Sequence, residues 1–188
     1  MKEDRKTRYT RKALQDSLIE LMKEKPISKI TIKELCENAD INRTTFYAHY
    51  TDQYDLLRKI EDETLSWAKD AFNTLISKTA DEHETIKGIE GICQYFVENS
   101  KHLQVLMSEQ GDMDFQKQLF TLVYQLCGID SSASHNGDAD TKELYSIFVV
   151  NGSVGLIQHW LKNGLNQSAK EIAEIIFNMA NPVMKMLI

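Results

Sequence analysis

Apolar residues recur along this chain at intervals of three and four, and the two-residue alternation of a half-buried strand is almost absent. Over residues 10–24 the side chains of Leu14, Leu18, Leu21 and Met22 share one helical face, and Pro26 ends the run because its ring cannot continue the hydrogen-bond ladder. Only Lys29–Ile32 has strand-like composition. Thr31 followed by Glu34 makes it a helix start instead, because the threonine side chain can take the Glu34 N–H while the carboxylate reaches back. That helix spans about 32–39. Asp40 breaks it, Ile41 returns an apolar contact, and Asn42 is suited to cap a third helix over 43–50. Asp52 opens a long fourth helix, about 53–78, with Leu56, Leu57, Ile60, Leu65, Ala68, Phe72, Leu75 and Ile76 at mixed helical spacing. Helices are expected next over 82–99, 102–110 and 113–128, then a polar, turn-rich loop at 130–140.

The last two segments are the most regular. A helix over 141–163 carries one apolar line through Leu144, Ile147, Phe148, Val154 and Leu161 and another through Tyr145, Val149, Leu156 and Trp160. Ser168 and Glu171 form a second capping box, opening a helix to about 187 with Ile172, Ile175, Ile176 and Met179 on one side and Ala173, Phe177 and Ala180 on the other. Two helices apolar on two faces need more partners than one small body supplies, so an intersubunit helix bundle is expected, the alternative being two fully internal helices. Asn151, on the first of them, needs a hydrogen-bond partner, either across a dimer interface or on a ligand. The fold class is all-α, with a head over 1–52 and a helical body over 53–188.

Composition adds limits. Of 188 residues, 42% are hydrophobic and 27% charged, which is ordinary for a globular protein. No uncharged apolar run is long enough to span a membrane, and Lys2–Lys6 lead into no apolar stretch, so neither a membrane protein nor a secreted one is expected. Cys36, Cys93 and Cys127 are odd in number and widely spaced, which reads as a reduced, cytoplasmic chain with no disulfide framework and no zinc site. His83, His102, His135 and His159 have no metal-ligand spacing, and neither a metal nor a cofactor is expected.

Net charge is −6, but it averages unlike parts. Residues 1–60 hold 13 Lys+Arg against 10 Asp+Glu, and the remainder holds 9 against 18. All five arginines, Arg5, Arg8, Arg11, Arg43 and Arg58, lie in that first stretch. Arginine presents a planar fork suited to phosphates and guanine edges, so the pattern suggests a basic binding head on an acidic body, against plain solvated surface as the alternative.

Residues 31–50 have the spacing of a helix-turn-helix. Leu35, Ala39, Ile41 and Phe46 can close its small core, and Asp40 sits at a turn position that favours positive φ. The second helix then exposes Arg43, Thr44, Tyr47 and Ala48, flanked by Thr45 and His49. These are groups that donate to phosphates and read base edges in a major groove, not the Glu and Lys of a routine solvated helix.

The stretch TIKELCENADINRTTFYAHYTDQYDLL, residues 31–57, resembles the N-terminal domain of the TetR-type bacterial transcriptional regulators, including the aromatic pair and histidine of TFYAHY and the Asp-x-x-Asp-Leu-Leu opening of the fourth helix. The ending NGSVGLIQHWLKNGLNQSAKEIAEII is similar to the C-terminal domain common in Firmicutes members. The resemblance implies about nine helices, a homodimer through the last two, a ligand-responsive body, and action on a pseudo-palindromic operator in double-stranded DNA, as a repressor rather than an activator. It makes Arg43, Thr44 and Ala48 candidates for base-edge contact and Thr31, Thr45, Tyr47 and His49 candidates for phosphate contact. Phe148, Val149, Leu156, Ile176, Phe177 and Ala180 become the candidate dimer interface. Two residues depart from the family pattern: Asp40 stands where a turn glycine is usual, and Gln53 where a phosphate-binding lysine is usual, a loss for which Arg5, Arg8 and Arg11 could compensate.

In the body, Trp67, Phe72, Tyr95, Phe96, Met107 and Trp160 are the candidates to line a pocket for a small-molecule effector, with core packing the competing role for each. No nucleophile elbow, phosphate loop, dinucleotide fingerprint or zinc-protease motif is present, so an enzyme is not expected. The remaining alternative is a chain that keeps this fold but docks to another protein instead of reading DNA.

Overall fold

A computed structural model of the chain describes residues 5–77, 81–126 and 137–185. Among the described residues the structure is all-helical, with α1 (Arg5–Glu24), α2 (Ile32–Ala39), α3 (Arg43–Tyr47), α4 (Gln53–Ser77), α5 (Glu82–Glu98), α6 (Ser100–Leu106), α7 (Met113–Leu126), α8 (Gly137–Lys162) and α9 (Ala169–Lys185). A 3-10 turn, Ile27–Lys29, follows Pro26.

Several ends differ from the periodicity. Helix α1 begins at Arg5, well before its first apolar residue, because a solvated turn rich in Arg and Lys costs a helix little once its C-terminal part is anchored. Helix α3 stops at Tyr47: the Ala48 N–H still reaches the Thr44 carbonyl at 3.2 Å, but the His49 N–H tightens to the Phe46 carbonyl, three residues back, at 2.9 Å. Helix α8 starts at Gly137, inside the stretch expected to be loop; the part of that loop at 130–136 lies outside the described residues, as do Cys127 and His135. The caps form as read. Thr31 Oγ1 accepts the Glu34 N–H at 3.2 Å, Asn42 Oδ1 accepts that of Thr44 at 2.8 Å, and Asp52 Oδ1 that of Asp55 at 2.7 Å. At α9 the box is reciprocal: Ser168 N donates to Glu171 Oε2 at 2.7 Å while Glu171 N donates to Ser168 Oγ at 3.2 Å, and the Ser168 N–H and hydroxyl, both donating to Oε2, hold the Glu171 carboxyl below its usual range. At the Thr31 box the Glu34 carboxylate also pairs with Lys25, which holds it below its usual range.

The chain divides into two compact units. The first comprises residues 1–66 with 101–116, so the N-terminal helices share a core with a segment far along the sequence. Leu14, Leu18 and Met22 of α1, Leu35 of α2, Phe46 of α3, Leu56 of α4, and Leu103, Leu106 and Phe115 from the distant segment are all buried there. Ser17 ties α1 to α2 by donating to the Leu35 carbonyl at 2.9 Å and accepting from Asn38 Nδ2 at 3.1 Å. His102 of α6 pairs with Asp16 of α1 at 2.8 Å. Gly111 turns the chain from α6 to α7, and a Cβ there would lie 2.0 Å from the Leu106 carbonyl oxygen. The second unit, residues 67–100 with 117–188, packs α5 against α8 and α9 around Cys93, Trp160, Ala169, Ile172 and Ile176.

One buried group in the first unit is electrostatically uncomfortable. Glu61 of α4 is 7% exposed, and its Oε1 has no hydrogen-bond partner. Burial first, then Asp112 and Asp62, raise its carboxyl from about 4.5 to about 7, against a small opposing pull from Arg58. The folded state therefore holds this proton more tightly than the unfolded chain. Stability attributable to Glu61 is full below pH 4.5, falls as the pH rises, and is lost above pH 7, by up to about 3 kcal/mol. Glu61→Gln should flatten that fall, so thermal melts of wild type and variant between pH 5 and 8 should converge at the acid end and diverge at the alkaline end. Parallel curves would show that Glu61 is ionised throughout.

Candidate functional site

Helix α2, the turn Asp40–Asn42 and α3 form the helix-turn-helix. Asp40 adopts φ 53° and ψ 43°, the left-handed conformation in which glycine is usual, and Ile41 N closes the turn on the Cys36 carbonyl at 2.9 Å. A single side chain fixes the orientation of α3. Phe46 is fully buried, with its ring edge-on to Tyr47 at 5.5 Å and tilted on Tyr50 at 5.6 Å. Helical geometry then turns Arg43, Thr44 and Tyr47 outward, and all three are exposed, as is Ala48. Tyr47 is 58% exposed even though its ring meets that of Phe46. Thr45 and His49 are half-buried at the flanks, with His49 beside the buried Tyr50 at 6.2 Å between rings. Thr31 is exposed at the N-terminus of α2; its oxygen lone pair serves the cap and its hydroxyl proton remains available to an acceptor.

The arginines of α1 separate into two kinds. Arg5 and Arg8 are exposed, as are Tyr9, at 73%, and Lys12 one turn on. Arg11 instead pairs with Glu63 of α4, which also accepts from Gln15 Nε2 at 2.9 Å. Arg11 also lies beside Tyr50, where its charge partly offsets the upward push of burial on the tyrosine hydroxyl. Of the three arginines named to compensate for the missing lysine, Arg5 and Arg8 are thus exposed, and Arg11 is engaged by Glu63.

In the second unit Trp67 and Tyr95 are stacked, 3.4 Å between centroids and 7° between planes, with Phe96 edge-on to both at 6.4 Å. Phe72 is half-buried on α4. Trp160 sits in the core and donates from Nε1 to the Gln167 carbonyl at 3.0 Å, and Met107 falls in the other compact unit. Three of the six aromatic and sulfur residues are therefore brought together.

Of the six residues named for a dimer interface, Ile176 and Phe177 are buried within the unit itself. Val149, Leu156 and Ala180 are half-buried, and Phe148 is 64% exposed. Periodicity could not separate the inner line from the outer one, because both are apolar. The large apolar side chains left outside are Leu144, Tyr145 and Phe148 on α8 and Ile175 and Met179 on α9. Asn151 finds its partner in its own helix, donating to the Ile147 carbonyl at 2.9 Å. Among the described residues no cluster of His, Cys, Asp and Glu is arranged to hold a metal, and no helix is long and apolar enough to cross a membrane.

A family model described as "Transcriptional regulator C-terminal region", of the TetR type, matches residues 83–182. Similar solved structures include "Dihydroxyacetone kinase operon activator DhaS", at 19% identity over 94% of this chain and 97% of that one, with a TM-score of 0.59. A TetR transcriptional regulator from Streptococcus agalactiae 2603V is 19% identical over 94% and 96%, with a TM-score of 0.56. The transcriptional regulator FadR from Bacillus subtilis in complex with stearoyl-CoA is 11% identical over 90% and 96%, with a TM-score of 0.55. No curated protein matches the chain.

Asp40 holds its left-handed backbone at a cost that glycine would not carry, on the order of 1 kcal/mol. Asp40→Gly should raise the melting temperature by a few degrees and leave the helical circular dichroism unchanged. A fall in melting temperature would mean that the aspartate side chain contributes more to the turn than its backbone costs.

Proposed function

The chain belongs to the TetR family of transcriptional regulators, and from that premise we propose that it is a sequence-specific, ligand-responsive repressor that binds a pseudo-palindromic operator as a homodimer. The observation that carries the reading is the face of α3. Phe46 is locked inward, so a guanidinium, hydroxyls and a phenol stand outward on an element narrow enough for a major groove. Arg43, Thr44 and Ala48 read base edges; Tyr47, His49, Thr45 and Thr31 hold phosphates and set the register. Arg5 and Arg8 add positive charge. Repression is the action that occupying a promoter delivers by itself.

The dimer uses α8 and α9. Leu144 and Phe148 lie on the same side of α8 as Gly152 and Gly155, where an added Cβ would meet nothing within 4 Å, so a second copy can approach the helix closely. Ile175 and Met179 extend the apolar surface on α9. The second unit takes up the effector around Trp67, Tyr95 and Phe96, whose flat faces suit an apolar or aromatic ligand; that a FadR structure is in complex with stearoyl-CoA supports a small-molecule effector. No metal or cofactor takes part, and the protein acts in the cytoplasm.

Selection on random duplexes at low salt should enrich a palindrome with half-sites about 34–36 Å apart, or farther if the heads are splayed. Tyr47→Phe and His49→Ala should weaken binding alike on all sequences, whereas Arg43→Ala should relax preference at particular base pairs by about 1–3 kcal/mol. Neutralising Arg5 and Arg8 should flatten the salt dependence, and Arg11→Gln should not. Enrichment of no palindrome would favour a protein-docking role instead.

For the dimer, Phe148→Glu or Met179→Lys should give folded monomers by light scattering, because the charge meets solvent in the monomer and an apolar partner in the dimer. Ile176→Glu should instead unfold the unit. Dimers that persist in both surface variants would move the interface elsewhere.

A further inference from the structure

Helix α3 has only five residues, and its C-terminal end runs straight into the turn that carries His49 and Tyr50. That end is held from α4 by one ammonium group. Lys59 Nζ donates to the His49 carbonyl oxygen at 2.9 Å and to Asp55 Oδ2 at 3.2 Å, and it sits over the Tyr50 ring at 4.7 Å from the centroid. Asp55 in turn accepts the Thr51 N–H at 3.0 Å, and that bond, with the Lys59 charge, holds its carboxyl below the usual range. A carbonyl, a carboxylate and an aromatic face thus converge on one cation, and the turn between α3 and α4 is fastened at both of its ends.

We propose that Lys59 is a positioning residue for DNA recognition: it sets where His49 and the C-terminal end of α3 lie, without touching DNA itself. The alternative, a direct phosphate ligand replacing the lysine absent at Gln53, fits the geometry less well, because two of the three ammonium protons are already directed at His49 and Asp55. An ammonium shared in this way loses those bonds if it swings out to a phosphate. The inference rests on the DNA-binding reading above.

The experiment measures operator affinity against salt concentration, with thermal melts alongside, for wild type, Lys59→Met and Lys59→Arg. Methionine keeps the aliphatic stem and removes every donor; arginine restores donors and the cation over the tyrosine ring. Lys59→Met should weaken operator binding about tenfold while leaving the slope of log affinity against log salt unchanged, and Lys59→Arg should recover most of the loss. A slope that falls by about one would make Lys59 a phosphate ligand and overturn the proposal. So would unchanged affinity, and so would a melting temperature that drops with no loss of affinity in the folded protein, since that is a structural role only. Should Lys59→Met not fold, Lys59→Gln separates donor from charge: it keeps a donor for the His49 carbonyl, so affinity should fall less than about tenfold with the salt slope unchanged, and a slope lower by about one would again overturn the proposal. Wild-type protein that binds no duplex would defeat the DNA-binding reading itself, a result distinct from wild-type binding that Lys59→Met leaves intact.

Discussion

A helix of five residues cannot sustain itself: nucleation fixes several dihedrals for one hydrogen bond, and a single turn never recovers that cost. The inward lock of Phe46 is therefore the constraint on which the head depends. Burying a phenylalanine is worth about 2–3 kcal/mol, enough to hold one turn in place when caps serve both ends. Because neighbours on a helix diverge by about 100°, the packing of Phe46 is also what presents Arg43, Thr44 and Tyr47 to solvent. The stability of the turn and the exposure of those three groups are two faces of one side chain's position.

The sequence made the head legible because its signals are local. A capping threonine, an aspartate at a left-handed position, an asparagine cap and one buried aromatic each act within a few residues, and each took the predicted conformation. What stayed hidden depends on partners distant in the chain. Nothing near Arg11 announces that Glu63 takes its charge, so it looked equal to Arg5 and Arg8. Likewise, α8 is apolar nearly all round, and periodicity cannot tell the face that packs on Cys93 and Ile172 from the face that carries Phe148. Lys59 is one charge among many in the sequence, and only the fold brings the His49 carbonyl to it.

The second unit divides its aromatic residues between two uses. Trp160 has its indole N–H satisfied by a main-chain carbonyl and its ring in the core, the arrangement that a fixed scaffold needs. Trp67 and Tyr95 stack on each other while only half-buried, so each ring keeps one face engaged within the protein. The acidic excess beyond residue 60 is shared between the two units, because Glu61, Asp62, Glu63, Glu109, Asp112 and Asp114 belong to the first.

The first compact unit is assembled from two separate stretches of chain, 1–66 and 101–116, and the later stretch supplies Leu103, Val105, Leu106 and Phe115 to the interior. For anyone rewiring such regulators this sets a rule of construction. A chimera that splices this N-terminal region onto a foreign body, cutting at the helix-turn-helix or anywhere before α5, would leave behind the residues that close its core. To be portable, the head has to travel with a segment that linear domain maps assign to something else.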